Sequence, residues 1–392
     1  MIYLDHAATT GVCPQVMEAM LPFFTEHYGN PSSLYAFSDA SRKAMQASRT
    51  LLADAIGARP EEIYFTSGGS ESDNWAVKGT AFAYQQKGKH IITTKIEHHA
   101  IERACAFLEK NGYEITWLDV GEDGRIRMPQ LYRAIRPDTI LISVMMANNE
   151  TGTIQPIEEI GRIARSRGIL FHTDAVQAFG QIPIQVNTMN IDMLSVSAHK
   201  IGGPKGIGFL YIRKGVTPAP LIHGGGQENG MRAGTENVPE IVGFGKAAEI
   251  ALNNMKEHAR KKQMLRDYFI ERVVRTIPYT RVNGSRRYRL PGNLNFSFQF
   301  IDGGALLTML DMEGICASAG SACSAGQSTP SHVLTAMGVP KELAYGSLRL
   351  TLGDENTKEE IDFVVEKLSD IIGQLRENSA EYHQMLQVRR RV

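Results

Sequence analysis

Cysteine is scarce in this 392-residue chain. The four present, Cys13, Cys105, Cys316 and Cys323, form no CxxC pair, which excludes a disulfide framework and the paired ligand spacing of a structural zinc site. Such usage fits a reducing compartment, and the cytoplasm is the expected location. Charge of one sign is missing as well: Lys+Arg 42 against Asp+Glu 42 leaves no net charge. No overall positive field exists to hold a nucleic-acid backbone or an anionic membrane surface, so neither is an expected partner. No stretch approaches the roughly 18 consecutive apolar residues of a membrane span. The start, Met1-Ile2-Tyr3-Leu4-Asp5-His6, lacks the basic and apolar regions of a signal peptide. What is there is an ordinary globular composition, 43% hydrophobic and 21% charged, on a chain long enough for two domains.

Short β-branched and aromatic runs at 62–65, 90–93, 113–117, 139–144, 169–172 and 193–196 alternate with helical periods such as 71–86 and 157–167. The alternation predicts an α/β fold with a mainly parallel sheet flanked by helices on both faces. A ligand then belongs outside the carboxyl ends of the strands. A long helical stretch at 238–276 leads into a smaller α+β lobe, with strands at 293–298 and 348–351 and helices at 304–312 and 358–376. The expected division is a large domain of 14–255 and a small one of 1–13 with 256–392. Residues 318–329 are small and polar, with Cys323 near their middle. They lack anchors for a core and predict a mobile loop with an accessible thiol.

Three constellations carry chemistry. Ser197-Ala198-His199-Lys200 precedes a glycine-rich turn and presents a lysine at a strand's end. A lysine is ordinarily a solvated surface charge, but a desolvated one forms a Schiff base with an aldehyde cofactor. Phe65-Thr66-Ser67-Gly68-Gly69-Ser70-Glu71-Ser72-Asp73 follows a strand and opens a helix. Its free N–H groups suit a phosphate, and Ser70 with Asp73 also reads as a plain helix cap. Asp174, in Phe171-His172-Thr173-Asp174, ends a buried-looking strand. It either caps the next helix or keeps a pyridine nitrogen protonated. An amine for an aldehyde, a carboxylate for a ring nitrogen and a turn for a phosphate are together the requirements of pyridoxal 5'-phosphate.

With these motifs in view the chain resembles the cysteine desulfurases of the NifS/IscS type, in the class V branch of fold-type I pyridoxal-phosphate enzymes. The likeness runs through Leu4-Asp5-His6-Ala7-Ala8-Thr9-Thr10, Tyr28-Gly29-Asn30-Pro31-Ser32-Ser33, Glu97-His98-His99, Asn148-Asn149-Glu150-Thr151-Gly152, the Lys200 motif, Gly224-Gly225-Gly226-Gln227-Glu228 and Arg232-Ala233-Gly234-Thr235. Two positions depart from it: His6 follows Asp5, and Gly202 stands where an aromatic is common. The resemblance implies a seven-stranded sheet, Lys200 as the Schiff-base lysine, Asp174 beside the pyridine nitrogen, and Gln177 toward the phenolic oxygen. It implies His98 as the stacked imidazole. Gly69, Ser70, Ser197 and His199 become the phosphate ligands, joined by Thr235 from the other subunit of a homodimer. Asn30, Asn149 and Arg349 orient the substrate.

The reaction so implied converts L-cysteine to L-alanine and leaves sulfur on Cys323 as a persulfide. A sulfur-acceptor protein, such as an iron–sulfur scaffold or thiolation carrier, is the expected partner. Rival readings are a selenocysteine lyase, another class V aminotransferase, and a non-catalytic partner protein retaining the fold. No resident metal is expected, because adjacent His98 and His99 on a strand would face opposite ways.

Overall fold

The computed structural model describes residues 1–319 and 330–389. Seven strands form the main sheet: β2 (Ile63–Thr66), β3 (His90–Thr94), β4 (Glu114–Leu118), β5 (Thr139–Ser143), β6 (Leu170–Asp174), β7 (Met193–Ser197) and β8 (Gly208–Ile212). Their order is β2-β8-β7-β6-β5-β3-β4. Every pair is parallel except those made by β8, which runs antiparallel to β2 and β7. Successive side chains alternate between two apolar clusters: Ile92, Phe171, Leu194, Phe209 and Tyr211 enter one, Ile91, Leu170, Met193, Leu210 and Ile212 the other. Burial on both faces explains why these strands read as continuous apolar runs. The expected α/β architecture with a mostly parallel seven-stranded sheet is the one found. Residues 208–212, flanked by glycine and absent from the six runs picked out by pattern, supply its antiparallel strand.

Helix Ile157–Arg167 shows how the covering layer forms. Ile157, Ile160, Gly161, Ile163 and Ala164 make one buried stripe, Glu158 and Glu159 sit in the first turn, Arg165 and Arg167 in the last, and Gly168 ends it at φ 63. The long 238–276 stretch is two helices, Val238–Asn253 and Met255–Thr276, broken at Asn254 (φ −111, ψ 6).

A second apolar cluster system lies beyond that break. Phe269 and Val273 pack on a three-stranded antiparallel sheet of β9 (Thr280–Val282), β10 (Asn293–Phe298) and β12 (Ser347–Thr351), together with helices Gly303–Met312 and Lys358–Glu377. Leu4 packs there too, and β1 (Ile2–Tyr3) pairs in parallel with β11 (Ile315–Cys316). Val333, Leu334, Met337, Val339 and Ala344, late in the chain, pack instead against the main-sheet cluster.

Two helical glycines bear opposite predictions. A Cβ on Gly161 would meet the Met189 carbonyl oxygen at 1.9 Å, whereas one on Gly373 meets nothing within 4 Å. Gly161→Ala is expected to destabilise by about 1–3 kcal/mol through overpacking. Gly373→Ala should stabilise by roughly 0.5–1 kcal/mol. Urea unfolding of the two variants beside the parent measures both signs.

Candidate active site

The main-sheet strands other than β8 point their carboxyl ends toward one side of the sheet, where a cavity of about 350 Å³ opens. Asp174 is the last residue of β6 and Ser197 the last of β7, while His199 and Lys200 come next in a tight turn. Gly69 and Ser70 come from the turn after β2, His98 from that after β3, Asn149 from that after β5, Gln177 from that after β6, and Arg349 from β12. These side chains, scattered over 280 residues of sequence, all line the same space.

Lys200 is half-buried, its Nζ donating to the carbonyls of Ala7 (2.6 Å) and Ala8 (2.7 Å). The Ala7 carbonyl also accepts from Gln177 Nε2 at 3.0 Å. Thr10 fixes the turn from the other side, both its N–H and its hydroxyl donating to the His199 carbonyl at 2.9 Å. Gly202 has φ 79, and a Cβ there would lie 2.5 Å from Cys13 Sγ. The backbone conformation and the cysteine together account for glycine where an aromatic was the family expectation. His6 is met by Glu355, Nε2 to Oε1 3.3 Å.

Asp174 is 6% exposed, and its Oδ1 accepts from the Val176 N–H at 2.9 Å, so the local turn contact and the cavity position coexist. Burial raises its pKa against the opposing pull of His98 and Lys200. Asp73 lies beside it, fully enclosed, its Oδ1 without a hydrogen bond and 3.8 Å from His172 Nε2; burial and the Asp174 charge hold its carboxyl well above the usual range. The Ser70–Asp73 pattern suggests a capping acid, and the structure corrects this. The helix Gly69–Asn74 starts two residues early with Gly68 as N-cap, Ser70 makes no cap bond, and Glu71 accepts from the Ser67 N–H at 2.7 Å instead.

Three of the imidazoles in and under the cavity are pushed toward neutrality. His172, under Asp174, bridges Ser143 Oγ and Ser195 Oγ at 2.9 Å each, and burial lowers its pKa to about 3. His199 falls to about 4 through burial and the Lys200 charge. Burial also lowers His98, whose Nδ1 accepts the Ala100 N–H at 3.2 Å. His98 and His99 therefore do not share a strand: His98 caps, and His99 begins, helix His99–Glu109.

Arg349 is 3% exposed, with Nη2 on Asp5 Oδ1 at 2.8 Å and Nη1 on the Asn149 carbonyl at 3.2 Å, while its buried Nε has no partner. Ser318, on one flank of the undescribed segment, donates to Asp5 Oδ2 at 2.8 Å and pairs with the Arg349 backbone. On the other flank, Ser331 Oγ donates to Glu150 Oε2 at 2.5 Å.

Two expected site residues do not reach this cavity within the chain. Asn30 is exposed and accepts the Ser32 N–H at 2.9 Å, a local turn contact. Thr235 is exposed and lines a separate hollow beside Ser67 and Arg232. Cys323 lies outside the described residues. Of the other cysteines, Cys105 is buried, as expected of a small apolar residue, but Cys13 and Cys316 are only half-buried. Asp73, Glu150 and His332 line the cavity without having been assigned to it. Glu150 was already visible inside the Asn148–Gly152 motif; His332 carried no signal of its own.

The donor set fits pyridoxal phosphate. An amine, a buried carboxylate, and hydroxyl and imidazole groups converge on one cavity of small-molecule size. Gly69 forms part of the cradle, since a Cβ there would strike Val176 Cγ2 at 2.7 Å.

Burial raises Glu150 to about 7, with Arg349 and Ser331 opposing. A carboxyl whose folded pKa exceeds its unfolded one contributes stability below the unfolded value, and that contribution is lost as pH rises toward 7. The loss is roughly 3 kcal/mol. In Glu150→Gln this part of the pH dependence disappears, so the unfolding midpoint should fall less between about pH 5 and about pH 8 than in the parent. Equal falls in both proteins would contradict the assignment.

The class-V aminotransferase family model matches residues 2–364. A cysteine desulfurase IscS of Clostridium botulinum is 55% identical over 380 residues, covering 96% of each chain. That of Methanosarcina thermophila is 55% identical over 378 residues, covering 96% of this chain and 93% of its own. Among solved structures, a NifS-like protein superposes with a TM-score of 0.89 at 38% identity, covering 95% of this chain and 99% of its own. SspA in complex with cysteine gives 0.81 at 39%, covering 91% and 100%. Members of this family use pyridoxal phosphate, on the fold-type I architecture described above. The chain belongs to the class-V aminotransferase family, within its NifS/IscS-type cysteine desulfurases.

Proposed function

We propose that this cavity desulfurates L-cysteine to L-alanine and passes the sulfur to Cys323 as a persulfide, for transfer to an acceptor protein in uses such as iron–sulfur cluster assembly. The observation that carries the reading is the convergence of Lys200, Asp174 and Arg349 on one cavity, in a chain so close to known cysteine desulfurases.

When bound, pyridoxal phosphate supplies an aldehyde for the substrate amine and a ring that accepts the electron pair left by Cα deprotonation. Asp174 would hold the proton of the ring nitrogen, and Gln177 would donate toward the phenolic oxygen. Gly69, Ser70, Ser197 and His199 would hold the phosphate, with Thr235 contributed by a second copy of the chain in a homodimer. The exposure of Thr235 outside its own cavity supports that arrangement. Lys200 Nζ would move the α-proton. His98, neutral and with Nδ1 accepting the Ala100 N–H, carries its hydrogen on Nε2 and would give a proton from there.

Arg349 would take the substrate carboxylate, its unpartnered Nε and planar fork being suited to two parallel bonds. Asn149 adds an amide beside it, and Asn30 would act only from a neighbouring chain.

The sulfur step balances without an outside oxidant. The Cys323 thiolate forms the S–S bond as the substrate Cβ–S bond breaks, and Cβ takes a proton; L-cysteine plus a thiol gives L-alanine plus a persulfide. Both flanks of the segment bearing Cys323 are tied to the cavity wall, Ser318 at Arg349 and Asp5, Ser331 at Glu150. A four-residue tether, the separation of Cys323 from Ala319, spans at most roughly 14 Å. The half-exposed free thiols favour a reducing compartment, and we assign the reaction to the cytoplasm. Among the described residues no helix is long and apolar enough to cross a membrane.

Two measurements test this reading. Intact-mass analysis after L-cysteine without reductant should show one added sulfur located on Cys323, and Cys323→Ala should lose both that sulfur and sulfide release. Formation of a keto acid in place of alanine would instead mark an aminotransferase. Arg349→Lys should lower kcat/KM for L-cysteine roughly 10- to 100-fold while the bound cofactor's visible absorption stays in place. An unchanged kcat/KM would remove Arg349 from substrate binding.

A further inference from the structure

At the rim of the cavity a second set of side chains has the composition of a metal site. His99 and Glu102 sit three residues apart on the first turn of helix His99–Glu109 and so share one face, with His99 Nδ1 2.5 Å from Glu102 Oε2. His332, the first residue of helix His332–Ala336, lies with its ring tilted against that of His99, centroids 4.8 Å apart at 36°. One ligand atom from each of the three lies within 4.8 Å of the others. Bonds of about 2.0–2.2 Å to a common ion put ligand atoms roughly 3–4 Å apart, a closure within reach of side-chain torsions.

The orientation of His332 is fixed from behind. Its Nε2 lies 3.0 Å from the Glu97 carbonyl oxygen. A carbonyl only accepts, so Nε2 carries the hydrogen and Nδ1 keeps its lone pair. An imidazole whose far N–H is held by a backbone carbonyl is the usual arrangement of a metal-bound histidine. Ser331, beside it, is anchored on Glu150. The third ligand is therefore preset although it arrives 230 residues after the second.

We propose that His99, Glu102 and His332 bind a first-row divalent transition metal of the Zn²⁺ class. Two imidazoles and one carboxylate are borderline donors that favour Zn²⁺ over Mg²⁺ or Ca²⁺. Three protein ligands leave a coordination position open. His99 and His332 both line the cavity, so a bound ion bridges helix His332–Ala336, just past the Cys323 segment, to the wall of the cavity. The expectation of no metal weighed His98 against His99 alone, whereas the fold pairs His99 with residues elsewhere in the chain. The assignment stands whether or not the desulfurase reading does.

L-cysteine itself chelates zinc, so binding is the readout, not turnover. Cofactor-loaded Cys323→Ala protein, which removes the loop thiol as a competing ligand, is dialysed against micromolar Zn²⁺ and its metal content measured. One zinc per chain is expected, with affinity weakened at least tenfold in His99→Asn, His332→Asn and Glu102→Gln. Cofactor absorbance and the thermal midpoint report whether each variant is folded. Glu102 has a side chain 44% exposed, so Glu102→Gln remains decisive if a histidine variant does not fold. No zinc in the parent, or full affinity retained in folded His99→Asn or Glu102→Gln, overturns the proposal.

Discussion

The grip of the Ala7 and Ala8 carbonyls on Lys200 Nζ is the contact on which the geometry of the site depends. It makes ten N-terminal residues into a strap between the two apolar units. One end is woven into the smaller unit: β1 pairs with β11, the Leu4 carbonyl accepts from Thr351 at 2.7 Å, and the Ala7 N–H donates to Thr351 Oγ1 at 2.9 Å. The other end is bonded to the lysine turn through Thr10. Asp5, between them, positions Arg349. The amine and the guanidinium are thus indexed to one another through a single stretch of backbone. A short segment fixed at both ends by main-chain bonds transmits little slack, which a reaction needing sub-ångström placement requires.

Charge inside the cavity follows from the same enclosure. Asp73, Glu97, Glu150 and Asp174 all have carboxyls raised by burial, and His98, His172 and His199 are lowered. Desolvation pushes both types toward their neutral forms. Asp73 and Asp174 repel one another, so the pair binds a proton more readily than either alone. His172 has both nitrogens committed to serines and cannot take that proton cheaply. A cationic partner set against Asp174 would be drawn in by a carboxylate that has no comparable counter-charge beneath it.

Much of this was legible in the sequence, and the failures have physical causes. The buried strands announced themselves because parallel strands are apolar on both faces. Residues 208–212 escaped because glycine and the turn before them broke the pattern. Lys200, Asp174 and Ser197 were found because they end such strands. Ser70 resembles a cap because the pattern Ser-x-x-Asp occurs equally where the helix begins two residues earlier. Asp73 and His332 were missed for a different reason: local sequence says nothing about which remote carboxylate or imidazole will be brought alongside. Asn30 and Thr235 rested on likeness to relatives, and neither lies in the cavity of its own chain.

The anchoring of Ser318 and Ser331, on either side of the Cys323 segment, bears on a conflict in the chemistry. A thiol that collects sulfur inside and delivers it outside cannot be held rigidly in the cavity, yet a freely swinging thiol would seldom meet the substrate. Here the flanks are fixed. Ser318 is bonded to Asp5 and to the backbone of Arg349, and Ser331 to Glu150 in the cavity wall. Confinement by such anchors raises the local concentration of a group by restricting its volume, as a short linker does between binding modules.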